Sequence, residues 1–83
     1  MMNDLKGRLE VAGIVLRELT KGPLSRTSLE NRVSRQGVSH ACFEGIFKFL
    51  VEDGSIEKCG SAFRAPFRIT KKGRAFLVWR EVL

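Results

Sequence analysis

The stretch IEKCGSAFRAPFRITKKGRAFL, residues 56–77, decides how the rest of the chain is read. Two short segments, Ser55–Cys59 and Pro66–Thr70, have the composition of strands, with Ile56, Phe67 and Ile69 supplying the apolar side. Between them, Gly60–Ala65 is small except for Phe63 and Arg64, which predicts a hairpin whose tip presents an arginine. Thr70 then caps a helix from Lys71 to about Val82 that opens on the cations Lys71, Lys72 and Arg74.

Working upstream, Asp53-Gly54 stops a helix that starts after Ser39, its predicted cap, and runs to about Glu52. Phe43, Phe47 and Leu50 give that helix one apolar face, with Ile46 and Val51 alongside. Gly37-Val38-Ser39 is a turn. Before it, Thr27-Ser28-Leu29-Glu30 matches a capping box and predicts a helix to about Gln36 with Leu29 and Val33 facing inward. Leu24-Ser25 reads as a short extended connector. The first helix spans about Asp4 to Thr20, with Asn3 or Asp4 as cap and Gly22-Pro23 as stop. Its inward stripe is Leu5, Leu9, Ala12, Leu16 and Leu19.

Eighty-three residues form one domain, 1–83, able to bury only about 60–65% of its unfolded surface. The net charge of +6 is one-sided. Residues 1–57 hold eight Lys/Arg and eight Asp/Glu, whereas residues 58–83 hold seven Lys/Arg against Glu81 alone. Such a field points to a polyanion, nucleic acid ahead of a membrane, with a merely solubilising surface as the bland alternative. Cys42 and Cys59 make no disulfide framework, and with a single histidine and no Cys-x-x-Cys there is no metal site. Both are expected as buried, reduced thiols, a bridge being the alternative in a hyperthermophile host. No apolar run has the length of a membrane span or a signal peptide, so a cytoplasmic location is expected. No nucleophile–base pair, Walker loop or dinucleotide glycine pattern is present, so neither an enzyme nor a cofactor is expected.

The element order is helix, short strand, helix, turn, helix, hairpin, helix. Two helices joined by a turn of about three residues make a helix-turn-helix, and the hairpin behind them makes a wing. On LEVAGIVLRELTKGPLSRTSL (9–29), FKFLVEDGSIEKCG (47–60) and FRITKKGRAFL (67–77), the chain resembles the winged helix-turn-helix domains of small archaeal DNA-binding proteins, a group that includes coiled-coil chromatin proteins. The resemblance covers roughly residues 5–78 and does not extend to the long C-terminal helix that pairs two subunits in the coiled-coil members. It implies an α+β, mostly α fold: a winged helix-turn-helix with a two- to three-stranded wing and a C-terminal helix. It implies function only loosely, because winged helices also serve as protein–protein modules.

With that fold, the third helix is the recognition helix, presenting Ser39, His40, Ala41, Glu44, Gly45 and Lys48 outward to a major groove. Ala41 and Gly45 would allow close approach to DNA; alternatively, the second helix packs against Gly45. The plain-surface reading of His40 outweighs a base or phosphate contact, and packing of Phe63 beneath the hairpin outweighs its exposure. Arg64 would reach a minor groove or phosphate, and Arg26, Arg68, Lys71 and Lys72 would hold the DNA backbone. Lys71 and Lys72 stand where the helix dipole disfavours cations, which argues for an external anion, with ordinary surface lysines as the alternative. The surplus apolar residues Val11, Ile14, Val15, Phe76 and Trp79 predict a homodimer through the terminal helices. The expectation is thus a dimeric duplex-DNA-binding protein, regulatory or architectural; the alternative is an interaction module within a larger assembly.

Overall fold

The computed structural model describes the backbone of residues 2–82 and the side chains of residues 7–80. It is α+β and mostly helical: α1 (Met2–Thr20), α2 (Arg26–Ser34), α3 (His40–Asp53), β1 (Ile56–Lys58), β2 (Phe67–Ile69) and α4 (Lys71–Val82). α1 begins ahead of the expected cap at Asn3 or Asp4. It ends where Gly22, at φ 143°, takes a conformation closed to most L-residues.

The cap of α2 is Ser25, not Thr27: the Ser25 hydroxyl oxygen accepts from the Ser28 amide at 3.1 Å. Glu30, freed from the expected capping box, turns to α3 instead. Ser39 does cap α3, accepting from the Cys42 amide at 3.2 Å. Gly54 closes α3 in the left-handed region at φ 84°, its amide donating back to Leu50 and Val51 carbonyls.

β1 and β2 pair antiparallel in the register Ile56↔Ile69, Glu57↔Arg68, Lys58↔Phe67. Ladder bonds continue past both ends, Thr70 amide to Ser55 carbonyl at 3.0 Å and Cys59 amide to Pro66 carbonyl at 2.8 Å, so the hydrogen-bonded hairpin spans the two segments read from sequence. Alternation puts Ile56 and Ile69 in the core and Glu57 and Arg68 outside. Leu24 adds a single antiparallel bridge to Phe67, with bonds of 3.0 and 2.7 Å in the two directions. The connector before α2 is thereby tied to the hairpin.

The core sits between α1, α2, α3 and the hairpin, with Val15, Leu16, Leu19, Leu29, Val33, Phe43 and Ile56 almost fully buried. Each such side chain contributes about 1.5–3 kcal/mol of burial. Phe43 stacks on Phe47, which meets Phe67 edge-on at 4.8 Å between centroids. On α1 the buried stripe is Ala12, Val15, Leu16 and Leu19; Leu9 is exposed, and the side chain of Leu5 lies outside the described residues. Val15 faces the core because it sits one turn before Leu19 and one turn after Val11 on the side that meets the other elements. Val51 is exposed rather than packed alongside Phe47.

Gly73 holds α4 against the sheet. A Cβ there would press into the Ser55 carbonyl oxygen and stand 2.7 Å from Ile69 Cγ1. Thr70 supports the same junction: its hydroxyl donates to the Gly54 carbonyl at 2.6 Å and accepts from the Gly73 amide at 3.3 Å. The Thr-x-x-Gly spacing is therefore a packing requirement between the start of α4 and the end of α3. Of the consecutive apolar residues in α4, Leu77 is buried and Phe76 is half-buried, whereas Val78 and Trp79 are exposed.

Candidate functional site

Glu44, Lys48, Ala41 and Gly45 are exposed on α3, opposite the face that carries Phe43, Phe47 and Leu50. Nothing lies within 4 Å of a Cβ built on Gly45, so α2 does not pack against it. This face is not a free array of donors and acceptors. Arg26 at the start of α2 is hydrogen-bonded to Glu44, and its guanidinium lies 5.3 Å from the Phe47 ring centroid and 5.9 Å from that of Phe43. His40 Nδ1 is bonded to Glu30 of α2, and its Nε2 stands 3.5 Å from Glu44.

The electrostatics follow from those contacts. Donation of a hydrogen bond from His40 to the Glu30 carboxylate, with the charges of Glu30 and Glu44, raises the His40 pKa above its ordinary 6.5. Arg26, through its hydrogen bond and its charge, lowers that of Glu44. His40, Glu44 and Arg26, three of the side chains expected to contact DNA, thus belong to one α2–α3 network. Glu30 completes it. Sequence reading missed this member because the capping box gave it another partner; the ten-residue separation from His40 carries no local periodic signal.

Two more expected phosphate contacts are engaged within the chain. Arg68 Nε donates to Glu57 across the hairpin at 2.7 Å. Lys72 donates to the Asp53 carbonyl at 2.8 Å and pairs with its carboxylate at 3.0 Å. A cation at the carbonyl end of α3 is favoured by that helix's dipole. Lys72 therefore answers to the end of α3, and the argument that it signals an external anion falls away. Lys72 and the Ser55 hydroxyl, 2.8 Å from the Asp53 carboxylate, hold the Asp53 pKa below its ordinary 3.8.

The other cations of α3, the hairpin and the first turn of α4 differ. Among the described residues, no carboxylate lies within 4 Å of Lys48, Lys58, Arg64, Lys71 or Arg74, all exposed. Arg64 and Lys58 belong to the hairpin, where the Lys58 ammonium donates to the Ala62 and Phe63 carbonyls at 3.3 and 3.2 Å. Lys71 and Arg74 lie on the first turn of α4, and Lys48 is on the open face of α3. Phe63, expected beneath the hairpin, is 89% exposed at its tip.

The expected dimer residues divide. Val15 has no exposed surface and cannot meet a second copy; its place is in the core. Val11, Ile14 and Phe76 are partly buried against that core, and Trp79 is 54% exposed. A groove between α1, α3 and α4, lined by Leu9, Val11, Gly45, Phe49 and Phe76, adds the exposed Phe49 to the apolar surface.

Cys42 is half-buried and Cys59 exposed, so the expectation of two buried thiols fails at Cys59, which follows β1 on the hairpin rim. Among the described residues no group of three or more His, Cys, Asp or Glu could hold a metal ion. No described helix is long and apolar enough to cross a membrane. Comparison with known proteins returned no matching family model, curated protein or solved structure.

Proposed function

We infer that the protein binds double-stranded DNA as a winged helix-turn-helix, with α2 and α3 as the helix pair, β1 and β2 as the wing, and contacts made chiefly to the phosphate backbone. The observation that supports this reading is that the cations of the hairpin, the first turn of α4 and the open face of α3, namely Lys48, Lys58, Arg64, Lys71 and Arg74, have no carboxylate within 4 Å among the described residues, a property they share with Arg8, Arg17 and Arg35 on α1 and at the end of α2. A cation already paired with a carboxylate offers a phosphate little. An unpaired one gains from each counterion released from the duplex. α3, with 14 residues, is about 21 Å long and exposes the small residues Ala41 and Gly45, which suits close approach to a groove about 12 Å wide.

Because Glu44, His40 and Arg26 are engaged with one another, base reading by α3 requires that network to open. An architectural role, or a regulator of modest sequence preference, is the form of the function best supported. Dimerisation through Trp79 and the neighbouring exposed Val78 on α4 belongs to the same proposal, and sedimentation at tens of micromolar tests it; a monomer there removes the dimer.

Titration of a labelled mixed-sequence duplex across a salt series is the decisive experiment. With about four to six phosphates contacted per protomer, log K falls with log salt at a slope of about −4 to −5. Absence of binding at about 50 mM salt, where non-specific complexes are strong, rejects the reading. It would promote the second one, a protein-interaction module, which the exposed Phe49, Val78 and Trp79 favour.

A further inference from the structure

Phe63 at the hairpin tip is unexplained by packing. It is 89% exposed, well above Val78 at 63% and Phe49 at 57%. The tip is nonetheless ordered by its own bonds. The Ala65 amide donates to the Ala62 carbonyl at 3.1 Å, and the Cys59–Pro66 rung closes the ladder just below. Lys58 draws the Ala62 and Phe63 carbonyls toward its ammonium group, so the main chain at Phe63 is held from behind while the ring stands in solvent. The flanking residues Gly60, Ser61, Ala62 and Ala65 are small, which leaves the ring as a narrow projection with the unpaired Arg64 beside it.

An isolated aromatic ring beside two cations does not make an apolar patch of the kind that docks a protein, which is contiguous. The surrounding charge selects a polyanion, and the ring needs an apolar surface within that polyanion. Duplex DNA has both: phosphates along the minor-groove walls and the faces of its base pairs, reachable when a step is opened. Apolar side chains that enter the minor groove partly unstack a step and kink the duplex by about 20–90°. Steps such as TA open most easily.

We propose that Phe63 is a wedge that enters the minor groove and partly unstacks one base step, while Arg64 holds an adjacent phosphate. This rests on the duplex-binding reading above and adds to it a kinked DNA product and a preference for deformable steps.

The test uses the full chain and a duplex carrying 2-aminopurine at a TA step, a base whose fluorescence rises on unstacking. At saturation the parent raises the signal severalfold. Phe63→Ala, whose melting curve matches the parent because the ring lies outside the core, binds about tenfold more weakly with an unchanged salt slope and gives no rise. Phe63→Leu, still apolar, keeps part of the rise. A parent that binds the duplex without the rise, or a Phe63→Ala protein that retains it, overturns the wedge and leaves duplex binding standing. Stronger binding to the single strand than to the duplex also overturns it, making Phe63 a stacking platform instead. Failure of the parent to bind either at about 50 mM salt removes the duplex reading and the wedge together.

Discussion

The α2–α3 surface and the region from the hairpin tip to the first turn of α4 both carry exposed charge, and they differ in what that charge is doing. On the first, Arg26, Glu30, His40 and Glu44 are bonded to one another and join two helices. On the second, Arg64, Lys71 and Arg74 face solvent without a carboxylate within 4 Å among the described residues. Arg26 is exposed on the first as Arg64, Lys71 and Arg74 are on the second; what separates them is availability. A carboxylate nearby satisfies a cation locally, and the long-range field then comes from those left over.

If that contrast governs binding, removing the unpaired cations has the largest effect. Counterion release at a slope of about 0.9 per phosphate is worth a factor of roughly eight per contact at about 0.1 M salt. The triple variant Arg64→Ala/Lys71→Ala/Arg74→Ala therefore loses several hundred-fold in duplex affinity, and its salt slope is shallower by about three. Retention of the parental slope would move the phosphate contacts to the α2–α3 surface and break the contrast.

Next comes Gly73→Ala, which tests whether the first turn of α4 is held in place by close packing. Alanine improves helix propensity by about 1 kcal/mol. The collision with the backbone of Ser55 and with Ile69 outweighs it, for a net loss of about 1–3 kcal/mol in denaturant unfolding. A neutral or stabilised variant would show that α4 can shift without cost.

Glu44→Ala sharpens the comparison because the expected sign is opposite. Freeing Arg26 from its partner adds one available cation, so duplex affinity rises about eightfold and the slope steepens by about one. A fall in affinity confined to some sequences, seen in selection from a random duplex pool, would instead make Glu44 a base reader.

The smallest effect concerns pH. His40 has a raised folded-state pKa, so its contribution to stability is fully present below 6.5 and fades as pH rises through the higher folded value. Between about pH 6 and pH 9 the parent should show a slight fall in melting temperature that the Glu30→Gln variant lacks. Equal slopes for both proteins would mean that the His40–Glu30 bond adds nothing to folding. Asp53, with a lowered pKa, acts in the other direction: its contribution is present above 3.8 and is lost as pH falls through the lower folded value.

Sequence alone set the local structure of this chain. The order of elements, the Ser39 cap, the Gly54 stop and the limits of the hairpin follow from capping groups, left-handed glycines and apolar spacing, all of which act within a few residues. Cap choice for α2 went astray because Ser25 and Thr27 carry equivalent hydroxyls two residues apart, and the extended bridge of Leu24 to Phe67 favours the earlier one. Tertiary structure decided the rest. It buried Val15, exposed Phe63 and Cys59, and gave Thr70-x-x-Gly73, which does start α4, a second duty as a close contact with Gly54 and Ser55. It also divided the candidate site, pairing Arg26 with Glu44, His40 with Glu30 and Lys72 with Asp53 over separations of 18, 10 and 19 residues. Charge type is written in each residue, but whether a charge is free depends on which carboxylate the fold brings within a few ångströms, and no local pattern encodes that distance.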